Sequence, residues 1–301
     1  MHWLRNILLF MSGTYLMLAC DNAPKHQDTL SKGTIDISAD ETFKPVIEEE
    51  LRVFDSSFPE AHITVHYKSE SECFKDYFDN KARVILVTRD LSAAEKDQCK
   101  QDQVWATSLP LAREGIAVIV NNDCPDSAFD LSTLKGILTG VYNKKFTVVF
   151  DNQASSTVRF ITDSLLKGGK LGNNVFAAKG NREVVDYVIK NPGAIGFVGL
   201  GYVSDSTDPA NTGSFIKSVR VASIQNEHTG QFLQPYQAYI ALKTYPLTRT
   251  FYYINREGYP GLGTGFANFL STQRGQLVFF HAHLFPVRSE MVIRDVQLNT
   301  H

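Results

Sequence analysis

Apolar residues recur along this chain in two alternating periods. Thr34–Ser38 changes face at every residue, as a strand does. Behind the polar entry Ser38–Thr42, the residues Phe43, Val46, Ile47, Leu51 and Phe54 recur at helical spacing. Pro45 fits that helix because it falls in the first turn, where no intrahelical partner for its nitrogen is lost. His62–Tyr67 and Ala82–Thr88 are short β-branched runs that predict strands, with a helix around Glu72–Phe78 between them. Gly115–Val120 predicts another strand, and Leu131–Leu138 a helix started at Asp130 or Ser132 and stopped by Gly140. Phe146–Phe150 reads as a strand running into Asp151–Thr157, after which Val158, Ile161 and Leu165 mark a helix face. Arg182–Lys190 predicts a helix ended by Asn191-Pro192-Gly193, and Ala194–Leu200 the strand after it. Strands alternating with helices predict the α/β class, with helices layered on largely parallel sheets.

The first residues follow a different pattern. Met1–Asn6 carries Arg5, and Ile7–Leu18 is an apolar run broken only by Ser12, Gly13 and Thr14. Twelve helical residues are too short to cross a hydrocarbon core of about 30 Å, so the segment reads as a secretory signal. Leu16-Met17-Leu18-Ala19-Cys20 resembles a bacterial lipobox, which implies cleavage after residue 19 and a lipid on Cys20. An uncleaved anchor and a plain signal with a chance cysteine are the other readings. Residues 20–33 are polar, include Pro24, and read as a tether. The expected location is the cell envelope, on the periplasmic or extracellular side of a bacterial membrane.

Composition narrows the function classes. The chain has 43% apolar and 21% charged residues, enough for a sizeable core. A formal charge of −2 with no dense Lys/Arg block argues against nucleic acid as a partner. Cys73, Cys99 and Cys124 remain after Cys20; an envelope location permits disulfides, and Cys73–Cys99 could pair. No Cys-x-x-Cys spacing suggests a metal, and His281 and His283 would share one face of a strand but make too few ligands. No cofactor is expected. No Gly-x-Ser-x-Gly elbow supports a hydrolase, so no enzymatic activity is expected either.

Ser38–Phe43, Ser69–Ser71 and Ala154–Thr157 each join a strand end to a helix start through small or hydroxyl residues. Helix N-termini present unpaired N–H groups and attract anions, although one such segment alone is usually only a cap. Lys179-Gly180-Asn181-Arg182 followed by Pro192–Val198 resembles the second lobe of the phosphate-binding proteins of ABC-type importers. Lys243–Arg249 resembles their return strand, and Phe266–Leu270 with Gly275-Gln276 their C-terminal helix. The resemblance runs from about Gly33 to Arg288. It implies a two-lobed type II periplasmic binding protein fold with a ligand cleft between lobes. Lobe one would be 34–111 with 238–301, lobe two 112–237, the crossings lying near Pro110–Gly115 and Phe232–Tyr239. The implied partners are inorganic phosphate, ABC permease subunits and the membrane, and the implied state is a monomer.

Position by position, Thr42 and Phe43 match the family's first anion turn, Ser69 or Ser71 its second, and Ser155-Ser156-Thr157 its Ser-Gly-Thr. The family's aspartate falls at Thr88, beside Arg89, and its arginine falls at Asp151. The charges thus look exchanged. Arg89 would grip the anion, and Asp151 would orient Arg89 or accept the ligand's proton. A solvated Arg89 and an Asp151 that merely ends a strand is the plainer alternative. A buried carboxylate facing the ligand would select phosphate over sulfate, which carries no proton near neutral pH. Without it the site would be a less selective oxyanion binder. A sensing or adhesive module without a transport role is the remaining alternative.

Overall fold

The computed structural model describes residues 28–205 and 214–288; the leader, Cys20 and most of the tether lie outside the described residues. The chain opens with β1 (Gly33–Asp40), α1 (Lys44–Ser57), β2 (Ala61–Lys68), α2 (Glu70–Phe78), β3 (Val84–Val87) and α3 (Ala93–Gln101). The long strand β4 (Thr107–Val120) then carries it into a second half. There follow β5 (Ala128–Phe129), α4 (Leu131–Thr139), β6 (Thr147–Phe150) and α5 (Ser156–Phe160), which a π turn over Ile161–Leu165 prolongs. Next come β7 (Val175–Ala177), α6 (Asn181–Lys190), β8 (Ala194–Gly199) and the short strands β9 (Arg220–Val221), β10 (Ser223–Gln225) and β11 (Phe232–Leu233). After α7 (Gln237–Ala241), the chain returns through β12 (Thr248–Asn255) to α8 (Leu262–Ser271), α9 (Gln273–His281) and β13 (Phe285–Pro286).

A ten-stranded sheet runs through both halves in the order β2-β1-β3-β12-β4-β8-β6-β7, with β9 and β13 beside β4. The outer groups are parallel, β1 to β2 and β3, and β6 to β7 and β8. The two middle strands are not: β12 is antiparallel to β3 and β4, and β4 is antiparallel to β8. The sheet is therefore mixed, because its centre is built from the strand that leaves the first half and the strand that returns to it.

Each half buries both faces of its part of the sheet. In the first, Ile35, Ile37, Phe54, Phe251 and Phe266 share one core, and Tyr77, Ile85, Val87 and Ile254 another. Along β4, Ile116, Val118 and Val120 enter one core of the second half while Ala117 and Ile119 enter the other. Leu111 and Ala112 still belong to the first half, so the passage between halves falls inside β4. Such continuous apolar runs are what a sheet covered on both faces requires.

Several local expectations meet the structure directly. Helix α4 is capped by Asp130, whose carboxylate accepts from Thr133 N, and is ended by Gly140 at a φ of 76° that favours glycine. The proposed Cys73–Cys99 bridge is not formed: both are buried free thiols packed in an apolar core. His281 and His283 do not share a strand face, since His281 ends α9 and His283 follows in a left-handed turn with a φ of 63°. Among the described residues no helix is long and apolar enough to cross a membrane.

Candidate functional site

Two turns and one strand pair meet where the halves face each other. Asp40 ends β1, and its Oδ1 accepts from the backbone N–H of Thr42 at 2.9 Å, folding Glu41–Phe43 into a short 3₁₀ turn that leads into α1. No side chain caps α1 at Phe43. From the opposite half, Asp151 follows β6, and the Ser155 hydroxyl caps α5 by accepting from Val158 N at 3.2 Å. Asp40, Thr42, Asp151, Ser155, Ser156, Thr157 and Arg249 are each no more than 3% exposed, so the halves are closed over them.

Arg249 sits at the centre. It lies on β12 directly opposite Glu114 on β4, so the two side chains project together from neighbouring strands. Its Nε donates to Glu114 Oε2 at 2.9 Å, and its Nη1 donates to Ser156 Oγ at 2.8 Å and to Thr157 Oγ1 at 3.4 Å. Its guanidinium lies 5.4 Å over the Phe43 ring, which itself stacks on Phe251 at 3.9 Å. Nη2, although 2.8 Å from Glu114 Oε2, is poorly aligned for a hydrogen bond and has no acceptor.

A second arginine bridges the halves nearer the rim. Arg159, on α5, donates through Nε to Glu70 Oε2 and through Nη2 to Thr88 Oγ1 at 2.8 Å. Thr88 donates its N–H and hydroxyl to Glu70 Oε1 at 2.8 and 2.6 Å, so one carboxylate organises the whole bridge. Tyr202 donates to the Glu41 carbonyl at 2.8 Å, and the Glu41 carboxylate lies against Gly180 at the start of α6. The approach is tightest at Gly199, where a Cβ would lie 2.4 Å from Thr42 Cγ2. Glycine is needed there for lack of room.

Charge at this site leans acidic. Burial pushes the Asp40 carboxyl up to about 6 despite Arg249 nearby. Burial, with Asp151 and Asp40 close by, pushes Glu41 up to about 7. Asp151 and Glu114 are also raised by burial. Glu70 is held below the ordinary carboxylate range, because Arg159 and the Thr88 donors outweigh its burial. Asp40 Oδ2, Glu41 Oε1, Asp151 Oδ1, Thr42 Oγ1 and Arg249 Nη2 are buried polar atoms without a hydrogen-bond partner. Buried polar groups are ordinarily satisfied, so a cluster of five that mixes acceptors with a cationic donor has the character of a polar binding site. A cavity of about 850 Å³ lies elsewhere, along α1, α6 and α9, and lacks these groups.

The sequence-predicted residues are placed unevenly. Thr42, Asp151, Ser155, Ser156 and Thr157 come together, with the Phe43 ring beneath Arg249. Ser69 and Ser71 sit at the rim: Ser69 donates to Glu72 Oε2 at 2.7 Å, and Ser71 is exposed. Thr88 is tied into the Glu70–Arg159 bridge. The expected pairing of Arg89 with Asp151 is corrected, because Arg89 forks onto Glu95 at 2.7 and 2.8 Å and stacks over Phe74 at 3.5 Å. Asp151 instead accepts from the Asn181 amide at 3.2 Å. Sequence reasoning missed Asp40, Glu70, Glu114, Arg159 and Arg249. One signal was available for Arg249, which falls in phase with buried Phe251 and Tyr253 on β12.

The fold and this buried polar cluster between two halves define a solute-binding architecture. A family model described as a PBP superfamily domain matches residues 24–274, and the chain belongs to that superfamily. The chain is 21% identical to the phosphate-binding protein PstS of Borreliella burgdorferi over 290 residues, 90% of this chain and 94% of that protein. Among solved structures it is similar to a phosphate ABC transporter substrate-binding protein with bound phosphate from Clostridium perfringens. The TM-score is 0.71 at 22% identity, covering 85% of this chain and all of that one. An ABC-type phosphate transport receptor from Vibrio cholerae matches with a TM-score of 0.64 at 18% identity, covering 83% and 99% of the two chains. The fold is therefore the two-lobed periplasmic binding fold, with its cleft between the lobes.

Proposed function

We propose that this chain is an extracytoplasmic solute-binding lipoprotein that captures inorganic phosphate between its lobes and delivers it to an ABC permease. The observation that carries the reading is Arg249: a buried guanidinium with a free N–H edge, beside the Ser156 and Thr157 hydroxyls and the unpartnered Thr42 hydroxyl. A cation with converging hydroxyl donors in a water-excluded site suits a small oxyanion. Relatives named for phosphate binding or transport support the choice of anion. The lobes in this reading are 34–111 with 238–301 and 112–237, hinged through β4 and β12 and acting as a monomer without chemistry of its own. Cys20 holds the protein to the membrane. Thr42, Phe43, Ser155, Ser156 and Thr157 surround the ligand with Arg249, while Ser69, Ser71 and Thr88 line the approach.

Titration calorimetry of ligand-stripped protein with phosphate, then sulfate, tests this. Phosphate binding without sulfate binding is expected; equal binding of both reassigns the site to oxyanions in general. Silence from both removes the oxyanion site and leaves a sensing or adhesive module.

A further inference from the structure

Lobe one has two ends, and the chain enters it at the end away from the cleft. Strands β1, β2 and β3 are parallel, and their C-terminal ends deliver Asp40, Ser69 and Thr88 to the cleft side. Their N-terminal ends form the opposite pole, about 23 Å away along the eight residues of β1. β4 starts at that pole too, since Thr107 and Val84 both pair with Asn255 of the antiparallel β12.

The N-terminal segment is clamped onto this pole. Asp28, 6% exposed, accepts from Arg83 Nη1 and Nη2 at 3.1 and 2.9 Å, from the Tyr259 hydroxyl at 2.6 Å and from Leu262 N at 2.7 Å. Thr29 N donates to the Lys32 carbonyl at 2.8 Å, closing a turn. Leu30 crosses α8 at Gly265, where a Cβ would lie 1.7 Å from the Leu30 carbonyl oxygen, so only glycine admits this strap. The eight steps from Cys20 to Asp28 span at most about 29 Å, whatever path they take. A lipid on Cys20 therefore keeps the pole within that distance of a bilayer.

The same pole displays Trp105, at 85% the most exposed large apolar side chain among the described residues. Its neighbours Val104 and Ala106 pack inward against the core of Tyr77, Ile85 and Val87, and Val104 N donates to the Cys99 carbonyl at 2.8 Å. The turn is thus fixed, with the indole held outward. Leu30, 41% exposed, lies at the same end, where β1 and β4 stand three strand spacings, about 14 Å, apart. The cations Lys32, Lys81 and Arg83 are paired with Glu60, Asp79 and Asp28, so this end offers apolar surface rather than free charge. An indole, with an apolar body and one N–H, suits the headgroup level of a bilayer.

Building on the lipid-anchor reading, we propose that this pole is the membrane-facing surface of the protein, with the Asp28 strap holding it close and the Trp105 ring entering the headgroup layer. The cleft then lies at the far end of lobe one, on the side away from the lipid.

Of the two tryptophans, Trp3 lies in the leader, so Trp105 is the reporter that the mature chain itself carries. The test is the tryptophan emission of the mature, lipid-modified protein on vesicles of phosphatidylethanolamine and phosphatidylglycerol, with and without lipids brominated near the glycerol end of their acyl chains. Quenching by the brominated lipid that persists in high salt is expected. Trp105→Phe should abolish the signal. Adding Phe176→Trp, at a position 56% exposed on β7 of lobe two, should not restore it. Unquenched Trp105 on vesicle-bound protein, quenching that salt removes, or equal quenching from position 176 overturns the proposal and leaves the lipid anchor intact. Protein that stays off the vesicles overturns the anchor, and this proposal with it.

Discussion

Replacing Arg249 separates its part in holding the protein together from its part in holding the ligand. Arg249→Met fills much of the same space but leaves Glu114 buried at 1% exposure with only the Leu200 N–H, 3.0 Å away, as a donor. Removing one partner of a buried ion pair costs about 3–5 kcal/mol, because the other charge stays desolvated. Glu114, already raised by burial, escapes that cost by taking up a proton, so the loss should shrink in acid and be largest above neutral pH. Adding Glu114→Gln removes the stranded charge, and exchanging both partners of such a pair is often near neutral for stability. The double variant should therefore recover most of the lost stability. It should not recover binding, because a charged hydrogen bond to the anion is gone, worth about 1.5–3 kcal/mol, or about 10- to 150-fold in affinity. Urea denaturation at pH 5 and pH 8 reads the first effect and phosphate titration the second. A double variant that binds phosphate like the parent would refute the placement of Arg249 against the ligand. A single variant losing under about 1 kcal/mol would refute the buried-pair argument.

Three further variants probe other parts of the reasoning. Glu50 is fully buried on α1, neither carboxylate oxygen has a partner, and burial pushes its carboxyl to about 9. Its folded value is raised, so the stability it permits is complete below its unfolded value and is lost as pH climbs toward the folded one. Glu50→Gln should therefore be more stable than the parent by about 3 kcal/mol at pH 7 and level with it at pH 4; an equal gain at both would contradict this. Arg89→Gln should leave phosphate affinity unchanged and cost no more than about 1 kcal/mol, since it breaks a partly exposed pair outside the cleft; lost binding would return Arg89 to the site. Gly199→Ala should hinder closure, because the new methyl meets Thr42, and weaken phosphate without lowering the melting temperature; unchanged affinity would show that the cleft has slack there.

Much of the scaffold was readable because its elements carry strong periods. α1 announces itself through Val46, Ile47 and Phe54, and α4 through its Asp130 cap and Gly140 stop. α3 was unreadable by that route, since Cys99 is its only buried residue and no apolar stripe exists to detect. The anion turns were legible as strand–hydroxyl–helix junctions. The charges were not, because which carboxylate meets which arginine depends on how the halves close: Arg159 and Glu70 lie 89 positions apart. Glu50 shows the cost of reading an apolar face too generously. It occupies a core position of α1, and the period alone passed over it.

Arg249 and Glu114 stand on the two strands that join the lobes rather than on either jaw. If, as proposed, the cleft opens about those strands, Ser156 and Thr157 swing away with one lobe while the guanidinium stays where it was. On that reading an arriving ion meets the Arg249 N–H donors at the bottom of the open mouth, in the position it will occupy after closure. Capture and enclosure become separable events. First contact is then made with a stationary donor at the pivot and retention rests on the moving hydroxyls, so mutations in the jaws should alter how long the ion stays more than how fast it arrives.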